Sequence, residues 1–314
     1  MNKEIKEENN IEKGGRKIRF GSRKSDLALA QTKIVMDSVA ACSPEFETEL
    51  VPMETTGDKN MKPFSEASDK FGIKGLFTQE LEEALLSGAI DVAVHSLKDM
   101  PVNANAELPL IAYSKREDPR DAMVLPSGHV ELAPEPRIGC SSARRRVQLS
   151  ALYPTARIEP VRGNINTRLR KLDCGEYDAL VLAAAGLKRL GMEARVSRYF
   201  EPEEMVPAPG QGILACQGRA REDYHYLEGF RDRYGRLCAE AERAFSAALG
   251  GGCTAPVGAY ARVVGDTINI LGFYADESRG VIRRDSISGD AEKNRELGRE
   301  LAERLLKGAE RDAR

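Results

Sequence analysis

Two stretches of the chain repeat one order of apolar and polar positions. In LEEALLSGAIDVAVHS (81–96) and LRKLDCGEYDALVLAA (169–184), apolar residues at helical spacing run to a glycine, and an unbroken apolar run follows. The glycine suits the position just past a helix end, and the apolar run predicts a strand buried on both faces. Gly88 precedes Asp91 by the same distance as Gly175 precedes Asp178. A second echo stands ahead of each unit, pairing Arg19-Phe20-Gly21-Ser22-Arg23 with Arg137-Ile138-Gly139-Cys140-Ser141. Each ends a short apolar run on glycine and leads into a helical pattern, capped by Ser25 in the first and by Ser141 or Ser142 in the second. Helix-then-strand units of this kind predict parallel pairing with helices on both faces. Two echoes in one order predict two similar α/β domains, about 17–114 and 115–208.

The rest of the chain departs from that order. MVPAPGQG (205–212) is rich in Pro and Gly and reads as a linker or hinge. Beyond residue 238 come a helix (CAEAERAFSAAL), a hairpin turning at Gly265-Asp266, a third strand near VIRRDSIS, and an amphipathic helix carrying Leu297, Leu301 and Leu305. These predict a small α+β domain. Between its first helix and first strand, Gly250, Gly251 and Gly252 run into Cys253, so the cysteine sits on the most permissive backbone in the chain. Residues 1–16 are polar and read as a disordered leader, and 57–71 as a lid or a plain solvent loop.

Composition narrows the function classes. The 314 residues suit two or three domains, and a net charge of −2 gives no bulk attraction to nucleic acid or to a membrane surface. No stretch approaches a transmembrane span. The six cysteines are scattered without a C-x-x-C pair and there are three histidines, which argues against zinc, a disulfide framework or a histidine metal site. Free thiols fit a cytoplasmic protein. Neither a P-loop nor a strand-borne G-x-G-x-x-G is present, so no nucleotide site is expected.

The candidate chemistry gathers at strand ends, where open α/β sheets bind ligands. Strand 90–96 runs into Lys98-Asp99, with Pro101 stopping any helix, and His95 reads as a core histidine. Arg23, Arg144, Arg145, Arg146, Arg162, Arg168, Lys188 and Arg189 fall where strands give way to loops or helix starts. Any one of them is ordinarily a solvated surface charge. Arginines at four strand ends of two echoing domains predict a cleft lined for a polycarboxylate or phosphate. A two-lobed solute-binding protein would share that cleft, but has no use for a cysteine presented in a third domain. A cysteine-nucleophile hydrolase lacks a recognisable histidine partner.

Longer blocks carry a family resemblance. GSRKSDLALAQT, KGLFTQELEEALLSGAIDVAVHSLKDMPV, REDPRDAMV, SSARRRVQL, RGNINTRLRKLDCGEYDALVLAAAGLKRLG, PAPGQG and AERAFSAALGGGCTAPVGAY occur in one order over about 17–260. In these the chain resembles the porphobilinogen deaminase (hydroxymethylbilane synthase) family. The resemblance implies two α/β domains of periplasmic-binding-protein type with mixed, mostly parallel sheets, and a C-terminal α+β domain with a three-stranded antiparallel sheet, from about residue 231. It also implies that residues near 209–230 rejoin the first domain. The implied activity is a transferase of tetrapyrrole biosynthesis that condenses four porphobilinogen molecules, each losing ammonia, and hydrolyses the product to hydroxymethylbilane. The implied cofactor is a dipyrromethane joined to Cys253 by a thioether.

By the same resemblance, Asp99 is the catalytic carboxylate. Lys98, Ser96, Ser141, Ser142, Arg144 and Arg145 contact the cofactor, and Arg23, Ser25, Arg162, Arg168 and Arg189 bind substrate carboxylates, with no metal. It further implies a cytoplasmic monomer without nucleic-acid or membrane partners. Two positions depart from the family pattern: Cys140 stands at a usual threonine, and ILACQGR (213–219) lacks the common glutamate.

Overall fold

A computed structural model describes residues 16–54, 78–102, 105–250 and 256–312. The leader before Arg16, the 57–71 loop and the Cys253 anchor, all singled out above, lie outside the described residues.

The first sheet comprises β1 (Lys17–Arg23), β2 (Glu47–Met53), β3 (Val92–Ser96), β4 (Leu110–Tyr113) and a returning strand, β10 (Leu214–Gln217), in the order β2-β1-β3-β10-β4. The second comprises β5 (Asp121–Val124), β6 (Arg137–Gly139), β7 (Arg157–Glu159), β8 (Ala179–Ala183) and β9 (Arg198–Phe200), in the order β7-β6-β8-β5-β9. The two orders are the same once β1, β2 and β3 are laid over β6, β7 and β8. In each, the first three strands pair in parallel and the fourth runs antiparallel to both neighbours. The sheets are therefore mixed as expected, but parallel pairing is confined to one half of each. The antiparallel strand, Leu214–Gln217 in one sheet and β5 in the other, lies on the stretch of chain that crosses between them.

Sequence echoes become structural ones. The helix α1 (Asp26–Cys42) is capped by Ser25, whose hydroxyl accepts from the Ala28 N–H, and α3 (Ala143–Leu152) is capped by Ser142, which accepts from the Arg145 N–H. Between them in the chain, α2 (Gln79–Leu86) is followed by Gly88 at φ +71°, while α4 (Ile165–Asp173) is followed by Gly175 at φ +79°. Both glycines occupy the left-handed region that ends helices. The aspartates three residues on then tie strand to strand. Asp91 accepts from the Arg19 N–H at 2.9 Å and Asp178 from the Arg137 N–H at 2.7 Å, and each aspartate's own N–H in return donates to that arginine's carbonyl. Each aspartate also meets that arginine's guanidinium. The shared Gly–Asp spacing is thus a device for closing each sheet.

The third sheet is β11 (Val257–Val264), β12 (Thr267–Asp276) and β13 (Val281–Asp290), antiparallel throughout, with Val264 opposite Thr267 across the two-residue turn at Gly265-Asp266. It packs against the helices at Arg233–Ala248 and Asn294–Asp312, burying Phe245, Leu301 and Leu305. The first of these starts five residues ahead of the apolar pattern, because Asp232 caps it by accepting from the Gly235 N–H at 2.5 Å.

The MVPAPGQG segment is more tightly held than a linker reading suggests. Met205, Val206 and Gln211 are buried, and the Val206 carbonyl accepts from Arg144 and Gln148. Gly210 and Gly212 adopt φ +79° and +89°, and a Cβ on Gly212 would overlap the Glu117 carbonyl oxygen. Pro and Gly here shape a buried strap rather than a loose joint.

Candidate active site

The C-terminal ends of β1, β3, β6 and β8 carry most of the residues singled out in the sequence. Beyond β3 the chain makes a short 3-10 turn, Leu97–Asp99. Leu97 is buried, Lys98 half-buried and Asp99 exposed. One charged side chain of the turn is thereby drawn inward and the other is left facing solvent. The Lys98 ammonium donates to Gln211 Oε1 at 3.4 Å. Burial pulls its pKa down to about 8, against the pull of the neighbouring Asp99 charge.

Asp99 acts on more than Lys98. Its negative charge also reaches Arg145, Arg168 and His95. These residues come from both domains, so Asp99 sits where the two sheets' strand ends converge. His95 is buried and its pKa falls to about 4, through burial first and with the Arg23 charge adding to it. It is neutral near pH 7, as the core reading of that histidine expects.

The arginines divide into two groups. Arg144 and Arg145 are buried on the fully buried carboxylate of Asp121, at 2.7 Å each. Arg144 also donates to the Val206 carbonyl and Arg145 to the Val181 carbonyl. Burial would raise the Asp121 pKa, but the two guanidinium groups outweigh it and hold the carboxyl far below its ordinary range. Both guanidinium groups are thus engaged inside the domain, Arg144 through one nitrogen and Arg145 through all three. The buried Nε of Arg144 has no partner among the described residues. Arg168 and Arg189 form the second group, half-buried, donating to the Gly163 and Gly212 carbonyls at 2.8 and 2.7 Å. Burial lowers both, Arg189 to about 10. Arg23, the last residue of β1, and Arg162, in the loop that follows β7, are half-buried.

The serines do different work. Ser96 pairs with the buried Gln31, whose amide donates to its hydroxyl at 2.8 Å. Ser141 donates to the Val161 carbonyl and accepts from the Val161 N–H, joining the loops that follow β6 and β7. Ser25 and Ser142 are the helix caps already described. Cys140 is buried, and burial raises its pKa, so its thiol stays protonated at neutral pH.

Lys98, Arg168 and Arg189 are cations withdrawn from water, with their pKa values held down by burial that neighbouring acids do not offset. A ligand bearing several carboxylates supplies the missing countercharge, so these residues fit a group built from acetate- and propionate-bearing pyrroles. Sequence reasoning missed Gln31, Asp121 and Gln211. The last two lie in the quoted blocks REDPRDAMV and PAPGQG, but as an acid and an amide in loop-like segments they carry no mark of burial.

Comparison with known proteins decides the family. Residues 18–226 match the family model described as "Porphobilinogen deaminase, dipyromethane cofactor binding domain", and 236–307 match "Porphobilinogen deaminase, C-terminal domain". The chain belongs to the porphobilinogen deaminase family. The porphobilinogen deaminase of Acetivibrio thermocellus is 49% identical over 94% of this chain and 99% of its own. That of Ruminiclostridium cellulolyticum is 48% identical over 92% and 98%. The more distant Methylobacillus flagellatus enzyme is 41% identical over 93% and 95%. As a porphobilinogen deaminase the chain is a transferase of tetrapyrrole biosynthesis acting on porphobilinogen with a dipyrromethane cofactor, and the solute-binding alternative is not favoured. Among the described residues, no helix is long and apolar enough to cross a membrane.

Proposed function

We propose that Asp99 is the acid–base group of each condensation, that Lys98 and Arg145 hold the dipyrromethane beside it, and that Arg168 takes substrate carboxylates there. The convergence of these three cations on Asp99 carries the reading. Dipyrromethane, when bound, supplies the pyrrole α-carbon onto which the chain is extended. Asp99 accepts a hydrogen bond from the protonated aminomethyl group of porphobilinogen and steadies positive charge on the pyrrole as ammonia leaves. The same carboxylate takes the α-proton displaced by the new C–C bond. That proton and the ammonia leave together as ammonium, so Asp99 ends each cycle ionised.

Arg23, Ser25, Arg162 and Arg189 line the rest of the cleft as partners for substrate carboxylates. Ser96, Ser141 and Ser142 support the cofactor side, with Arg144 acting through Asp121. In this reading Cys253 is the anchor, joined to the dipyrromethane by a thioether, and the enzyme works as a cytoplasmic monomer. The direct test is Asp99→Asn. It removes the base without changing shape, and turnover per loaded chain is expected to fall by about 10²-fold or more. Ammonia release at the parent rate, in a variant with parent-like thermal stability, would remove Asp99 from the chemistry.

A further inference from the structure

The turn that carries Asp99 is gripped from behind by the third domain. Leu97 buries its side chain in the cluster that contains Leu237, Ala241 and Phe245 of the Arg233–Ala248 helix, and its N–H donates to the Ile213 carbonyl at 3.0 Å. Just past Asp99, a nitrogen of the Arg243 guanidinium donates to two successive carbonyls, Pro101 at 2.8 Å and Val102 at 2.9 Å. Arg243 is half-buried, and burial lowers its pKa. The preceding residue, Glu242, is fully buried and accepts from the Gly210 and Ala261 N–H groups and from Arg116, each at 2.6 Å. Two adjacent residues of one helix therefore hold the strap beside Gln211 and the turn beyond Asp99. The same helix ends at Ala248, five residues before Cys253 in the sequence.

We propose that Arg243 is a positioning residue: by clamping the Pro101 and Val102 carbonyls it sets Asp99 in register with the domain whose next segment carries Cys253. Leu97 and Met100 bury their side chains on either side of Lys98 and Asp99, and the Arg243 clamp fixes the main chain just beyond them. A guanidinium suits this task, since it reaches two neighbouring carbonyls while staying charged inside the protein. The clamp touches no reacting atom, so its loss shows as imprecise placement of Asp99 rather than as weaker substrate binding.

This inference rests on the reading of Asp99 as the acid–base group, and the test separates the two. The holoenzyme variants Arg243→Met and Arg243→Lys are compared with the parent by turnover per cofactor-loaded chain and by amide hydrogen exchange over 97–102. Arg243→Met is expected to lower kcat about 10- to 100-fold with KM changed less than about threefold. Exchange is expected to rise in that peptide and not in β11 to β13. Arg243→Lys, which retains a donor for the same carbonyls, is expected to recover most of the kcat. Unchanged exchange at 97–102 in Arg243→Met would overturn the clamp, whatever Asp99 does. Raised exchange with parent kcat would overturn the positioning role provided that Asp99→Asn is inactive. Parent turnover in Asp99→Asn would instead overturn the reading of Asp99.

Discussion

Replacing Asp121 by Asn keeps the shape of the buried acceptor and removes its charge. Asp121 is fully buried beneath Arg144 and Arg145 and also accepts from the Gln211 amide at 2.9 Å. Removing one side of a buried ion pair costs about 3–5 kcal/mol, since the charge left behind has lost its compensation. An asparagine oxygen still accepts a hydrogen bond from an arginine, which favours the lower end, about 3 kcal/mol. At about 4–8 °C per kcal/mol for a unit of 60–100 residues, the second α/β domain should melt roughly 12–24 °C lower. The pH dependence gives a sharper check. Asp121 has a folded pKa below the ordinary 3.8, so its contribution is fully present above that value and is lost as pH falls toward the folded pKa. The gap between parent and variant, followed by chemical denaturation, should be constant from pH 7 to about 5 and narrow below about 4. A melting point within 2 °C of the parent, or a gap that persists undiminished at pH 2–3, would refute the argument.

Two further predictions test the cleft and its strap. In the chain lacking cofactor, Lys98 should titrate near 8 by lysine nitrogen NMR. Because its folded pKa lies below the usual 10.5, its burial cost is present below pH 8 and is relieved as pH rises from 8 to 10.5. Loading the carboxylate-bearing cofactor should move that midpoint up by about one unit or more, and a midpoint at the ordinary lysine value without cofactor would contradict the burial. Gly212→Ala should destabilise by more than about 1 kcal/mol, because φ is +89° and the added methyl meets the Glu117 carbonyl. An unchanged denaturation midpoint would show that the strap is not packed as described.

Local signals carried much of the architecture into the sequence. Gly88 and Gly175, with Asp91 and Asp178 behind them, exposed the repeat because helix termination acts within a dozen residues, although the contacts those aspartates make to Arg19 and Arg137 span 72 and 41 residues. The turn at Gly265-Asp266 was legible for the same reason. The strand at Leu214–Gln217 was not legible from local pattern, since its partners Ser96 and Tyr113 lie about a hundred residues away and pairing leaves no mark on the strand itself. The resemblance alone pointed to its return. MVPAPGQG misled because Pro and Gly encode a tight path as readily as a loose one, and its burial depends on Arg144, Gln148 and Glu242 arriving from elsewhere. The site was legible in residue type more than in role. Lys98, Asp99, Arg145 and Arg168 come together, while Asp121, an acid with nothing local to mark it as buried, draws both Arg144 and Arg145 onto itself.

The central claim is that this chain builds a pyrrole chain on a covalently held dipyrromethane, and intact-protein mass measurement tests it most directly. The purified enzyme should be heavier than the bare chain by one dipyrromethane. Brief exposure to porphobilinogen should add a ladder of up to four further pyrrole units, and Cys253→Ser should remain at the bare mass. A parent chain at its bare mass before and after incubation with porphobilinogen, or a Cys253→Ser chain carrying the same ladder, would contradict the account.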